Sequence, residues 1–91
     1  MLYLEKNLII VNKLGLHARA ATQLVKLANQ FDAVVTLHKG KKNASANSVL
    51  GLMMLESHQG ETVRLVSEGK DAFEALAAVE KLIVDKFNEE E

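Results

Sequence analysis

The hydrophobic residues of this chain change their spacing several times, and the changes divide it into seven elements. Residues 3 to 11 alternate loosely and end in the run Leu8-Ile9-Ile10-Val11, as a strand inside a sheet would. Asn12-Lys13-Leu14-Gly15 breaks that run. From about Ala18 to Asn29 the spacing becomes helical, with Ala20, Leu24, Leu27, Ala28 and Phe31 on one stripe and Arg19, Thr22, Gln23, Lys26 and Gln30 toward water. Ala33 to His38 has the β-branched content of a second strand, and Lys39-Gly40-Lys41-Lys42-Asn43 reads as a hairpin turn into a short third strand over Asn43 to Ala46.

Asn47 or Ser48 can cap a second helix over Val49 to Leu55. That segment is apolar nearly all round. Leu52 and Leu55 suffice for a core face, which leaves Val49, Leu50 and Met53 for a contact surface, a use to which flexible methionine is suited. Gln59-Gly60 turns into a fourth strand, Thr62 to Ser67, with Val63 and Leu65 on one face. After Glu68-Gly69-Lys70-Asp71 the spacing predicts a third helix with the core stripe Phe73, Leu76, Val79, Ile83 and Phe87, and with Glu74, Lys81, Asp85 and Lys86 in water. Residues 88–91 are expected to fray. The order β-α-β-β-α-β-α contains a hairpin, so an antiparallel sheet with all helices on one side is the simplest α+β arrangement.

Ninety-one residues, 48% of them apolar, make one domain over residues 1–91 with one core. The 11 basic and 12 acidic residues nearly cancel, which leaves no electrostatic footprint for nucleic acid or an anionic membrane. Lys39-Gly40-Lys41-Lys42 has no stacking aromatics around it and reads as a solvated turn. There is no cysteine, no signal-like start, and no apolar run near the length of a membrane span, so a cytoplasmic protein without membrane insertion is expected. His17, His38 and His58 share no helical ligand spacing and no carboxylate cluster joins them, so no metal site is expected.

Chemistry is expected at Gly15-Leu16-His17-Ala18-Arg19, where a strand gives way to a helix. The first N–H groups of a helix lack intrahelical partners and lie at the positive end of its dipole, which makes an anion site. An imidazole there is favoured in its neutral, nucleophilic form, and a phosphoryl group placed on it is stabilised. Arg19 adds a cation. The alternative is that His17 only caps the helix and Arg19 is an ordinary solvated side chain.

Three motifs in register resemble the HPr-like histidine phosphocarrier proteins of the bacterial phosphotransferase system, and the resemblance spans essentially the whole chain. They are Gly15-Leu16-His17-Ala18-Arg19, Ala46-Asn47-Ser48-Val49-Leu50-Gly51-Leu52 and Gly60-Glu61-Thr62-Val63. The resemblance implies an open-faced β-sandwich, a four-stranded antiparallel sheet in the order 1-4-2-3 with three helices on one face. It makes His17 the phosphorylated histidine, modified on Nδ1, with Arg19 and the Ala18 backbone binding the phosphoryl group. Ser48 matches a regulatory phosphoserine of some members, although the plain capping role is favoured here. Where the family commonly has proline, this chain has Ala20, a better helix former without proline's fixed φ. Ala20, Asn47-Ser48-Val49 and the acidic C-terminus look more like the family's nitrogen-related branch than its sugar-transport branch.

The implied activity is a relay. A monomer would take a phosphoryl group, derived from phosphoenolpyruvate, from an enzyme I type donor and pass it to an enzyme IIA type acceptor, as a carrier with no cofactor of its own rather than a stand-alone enzyme. Transfer between similar nitrogens needs positioning and charge stabilisation more than a strong acid or base. An exposed dipole contributes about 0.3 to 1 kcal/mol and a charge-assisted hydrogen bond about 1.5 to 3, so Arg19 and the amides should outweigh the dipole. A docking module of the same fold that never carries phosphate is the rival reading, and the presence of His17 argues against it.

Overall fold

A computed structural model describes residues 2–89. The sheet is built from β1 (Leu2–Ile9), β2 (Val34–Lys39), β3 (Lys42–Ser45) and β4 (Thr62–Gly69), all paired antiparallel in the order β1-β4-β2-β3. Helices α1 (Ala18–Ala28), α2 (Val49–Met53) and α3 (Ala72–Val84) complete the expected α+β order. The register follows the period of two: Leu8 lies opposite Val63, and Leu37 lies opposite both Leu65 and Ala44, which puts these side chains on one face. That face meets Ala20, Leu24 and Ala28 of α1, Leu52 of α2, and Ala75, Val79 and Ile83 of α3 in one core. The helices therefore cover a single face, and the other is left to residues such as Tyr3, Thr62 and Arg64.

Two expectations about packing need correction. The apolar run at residues 8–11 is not an interior strand: β1 is an edge strand, ends at Ile9, and alternates, with Leu8 and Ile10 buried and Ile9 exposed. In α3 the buried stripe is Ala72, Ala75, Val79 and Ile83, whereas Phe73 is 63% exposed. The small side chains of Ala72 and Ala75 bring the start of α3 close to the sheet, which rotates Phe73 into water. Val79, Ile83 and Phe87 are buried as expected, and Leu76 packs on the core from a half-buried position.

The chain end also differs from expectation. Lys86, Phe87 and Asn88 form a short turn in which all three take positive φ (60°, 54° and 62°), closed by Asn88 N–H to Asp85 O and Glu89 N–H to Lys86 O, both at 3.0 Å. Single non-glycine residues pay about 1–2 kcal/mol for this conformation. Burial of Phe87, 1% exposed, is the compensating contact. Asn88 and Glu89 are thus held against the rest of the chain and do not fray; Glu90 and Glu91 lie outside the described residues.

Candidate functional site

The site is built where the chain leaves the sheet for α1. Asn12 is fully buried, and its Nδ2 donates to the carbonyl oxygen of Gly15 at 2.7 Å, closing a turn that the Gly15 N–H to Asn12 O bond (3.2 Å) also spans. Gly15 takes φ +66°, and a Cβ there would lie 2.3 Å from the carbonyl oxygen of Ser57. Only glycine combines that backbone with that approach. Leu16 then donates its N–H to Ser57 O at 2.9 Å and buries its side chain, which fixes the point from which His17 departs.

His17 is the N-cap residue of α1, with extended backbone, but its side chain makes no capping hydrogen bond. The first bond of the helix runs from Ala21 N–H to His17 O at 2.8 Å, so the amides of Ala18, Arg19 and Ala20 precede it and have no acceptor within the helix. Ala20 is wholly buried in the first turn, and α1 forms with alanine at this place. The exposed Arg19 side chain makes no hydrogen bond with a described residue, but its charge acts on Glu89.

The imidazole is not free on all sides. Its Nε2 contacts the Oε2 of Glu89, and the other carboxylate oxygen accepts from Asn12 Nδ2 at 3.1 Å. Burial raises the Glu89 carboxyl, but the hydrogen bonds from His17 and Asn12 and the charges of His17 and Arg19 prevail, so it is held below the usual carboxylate range. Lys13, Arg19, Gln23, Phe87 and Glu89 line a shallow open depression next to this contact. Asn12 and Glu89 were both invisible to pattern reasoning. An Asn three residues before a Gly at a strand end is a weak turn signal, whereas nothing near Glu89 in the chain points to a histidine 72 positions away.

Of the expected contact residues on α2, Leu50 is 68% and Met53 39% exposed, and Met54 and Leu14 are exposed apolar residues that the sequence reading did not single out. Val49 is a correction. It is half-buried against the core because it lies three residues before Leu52 and shares that residue's inward face. Ser48 caps α2, its Oγ accepting from Gly51 N–H at 3.0 Å. His38 and His58 lie elsewhere, on β2 and in the loop before β4, and among the described residues no group of three or more His, Cys, Asp or Glu is placed to hold a metal.

Residues 4–85 match the family model described as the PTS HPr component phosphorylation site. The chain belongs to this HPr family of phosphotransferase-system phosphocarriers. It is 54% identical to the phosphocarrier protein NPr of Shewanella violacea over 98% of each chain, and 44% identical to that of Escherichia coli K12 over 89% of this chain and 91% of the relative. Identity to the phosphocarrier protein HPr of Cupriavidus necator is 41% over 97% of this chain and 99% of the relative. Among solved structures, HPr from Thermoanaerobacter tengcongensis superposes with a TM-score of 0.91 at 41% identity, covering 97% of this chain and 99% of that one. No helix among the described residues is long and apolar enough to cross a membrane.

Proposed function

We propose that the protein relays a phosphoryl group through His17, taking it from an enzyme I type donor and passing it to an enzyme IIA type acceptor in the nitrogen-related branch of the phosphotransferase system. The observation that carries the reading is the placement of a partly exposed imidazole at the N-cap of α1, beside first-turn amides without helical acceptors and the Arg19 guanidinium. The lone pair of Nδ1 on His17 attacks phosphorus as the donor's N–P bond breaks, and the amides of Ala18 and Arg19 with the Arg19 side chain take up the phosphoryl charge. Leu50 and Met53, with the exposed first turn of α1, supply the docking patch for both partners in turn. The nitrogen branch is favoured by the 54% identity to an NPr against 41% or less to the HPr relatives.

Incubation with phosphoenolpyruvate and each enzyme I paralogue of the source organism, followed by intact mass measurement, tests this. The expected product is an adduct of about 80 Da that is lost in acid, that is absent from His17→Ala, and that forms much faster with the nitrogen-branch donor. Arg19→Ala should keep the fold and slow the transfer. An acid-stable adduct, or one that persists in His17→Ala, would remove His17 from the relay, and equal rates with both donors would remove the branch assignment.

A further inference from the structure

An ionised carboxylate can only accept hydrogen bonds, whereas a neutral imidazole donates from one ring nitrogen and offers a lone pair at the other. The Nε2 of His17 lies against a Glu89 oxygen, so on this geometry the proton belongs on Nε2 and the lone pair on Nδ1. Glu89 is itself held in place. Asn12, fully buried, donates to its second oxygen at 3.1 Å and to Gly15 O at 2.7 Å, so one amide ties the carboxylate to the turn that presents His17. Phe87, buried two residues earlier, anchors the tail, and the positive-φ turn at Lys86–Asn88 aims it at the start of α1.

We infer that Glu89 is a positioning residue for phosphoryl transfer, which accepts the Nε2–H of His17, holds the ring in that tautomer and orientation, and so keeps Nδ1 available as the nucleophile. The inference rests on the relay through His17 proposed above. During transfer the Nδ1 lone pair forms the new N–P bond while the donor's N–P bond breaks and its electron pair returns to the donor ring. The Nε2 proton stays where it is. The positive charge that the phosphorylated ring acquires then faces the Glu89 carboxylate, and when the group is passed on the N–P electrons return to Nδ1 without a proton having to leave or arrive. This is the role an orienting carboxylate has toward a catalytic histidine in hydrolase triads. The position of the Glu89 carboxyl below the usual carboxylate range agrees with its acting as the acceptor.

The test uses unphosphorylated full-length protein with nitrogen-15 in its histidines. Two-bond nitrogen–proton spectra at alkaline pH should show His17 almost wholly as the Nε2–H tautomer, and Glu89→Ala should convert it to a mixture with Nδ1–H. In the same variant transfer from the donor should slow by about 10- to 100-fold, by analogy with the loss when hydrogen-bonded partners of metal-ligating histidines are removed. Glu74→Ala, which takes the same charge from the exposed side of α3, should change neither reading. An unchanged tautomer in Glu89→Ala overturns the inference even if the rate falls, and so does a shifted tautomer with a transfer rate within twofold of the parent. Absence of any adduct on the parent protein would instead overturn the relay, and the tautomer spectra, which need no phosphorylation, would still decide whether Glu89 sets the ring.

Discussion

Replacing Gly15 with alanine separates two contributions that glycine makes at the site. The first is the dihedral: at φ +66° an alanine costs about 1–2 kcal/mol more than glycine. The second is steric. The added Cβ would lie 2.3 Å from Ser57 O and 3.1 Å from His58 Cα, both backbone atoms that cannot rotate aside. Relief requires the 57–58 segment to move, which breaks the Leu16 N–H to Ser57 O hydrogen bond, worth about 1 kcal/mol, and strains a packed region by about 1–3 kcal/mol. The sum is about 3–6 kcal/mol, a large share of the ~5–15 kcal/mol that stabilises a typical domain. Gly40 provides the control, since it has nearly the same φ, +58°, and nothing within 4 Å of an added Cβ. Gly40→Ala should therefore show only the dihedral cost. In urea denaturation the two variants should differ by about 2 kcal/mol or more, and by thermal melting Gly15→Ala should lose about 12 °C or more at ~4–8 °C per kcal/mol. A folded fraction of Gly15→Ala should also transfer phosphoryl groups more slowly, because the shift displaces His17. Equal destabilisation of the two variants would show that the approach to Ser57 does not constrain the turn.

Other substitutions test the packing corrections and the electrostatics. Leu52→Glu should unfold the domain, because Leu52 is wholly buried and an unpaired buried charge costs several kcal/mol, whereas Met53→Glu should change stability by no more than about 1 kcal/mol and weaken binding to donor and acceptor together; denaturation and titration with the donor decide, and equal destabilisation would make α2 simply core. Phe87→Ala should cost about 3–5 kcal/mol and release the tail from His17, but Phe73→Ala should stay within about 0.5 kcal/mol, and the reverse order in melting experiments would restore the stripe that the spacing alone predicts. The Glu61 carboxyl is held below its ordinary value by the His58 N–H and by Lys39, so its contribution is fully present above the unfolded value of about 4.3 and is lost as pH falls through the lower folded value. Urea denaturation from pH 6 to pH 3 should show the parent losing more stability than Glu61→Gln, and parallel curves would remove that contribution.

The chain by itself determined the features whose physics is local. Alternation in β4 and the turn around Gly40 follow from the period of two and from backbone freedom, and α1 follows from a stripe that any helix with those residues would bury. The placement of His17 at a strand-to-helix junction and the capping of α2 by Ser48 were legible for the same reason, and the three motifs in register carried the family. What required the tertiary structure is what depends on how elements meet. The spacing of α3 contains two candidate stripes one residue apart at its start, and only the close packing of Ala72 and Ala75 on the sheet selects the one that leaves Phe73 in water. Val49 and Leu50 are neighbours of similar character, and the position of α2 over the core decides which of them is covered. The burial of Asn12 and the arrival of Glu89 at His17 are the furthest from local reasoning, because a contact across 72 residues exists only once α3 has docked, Phe87 is buried and the turn after it has reversed the chain.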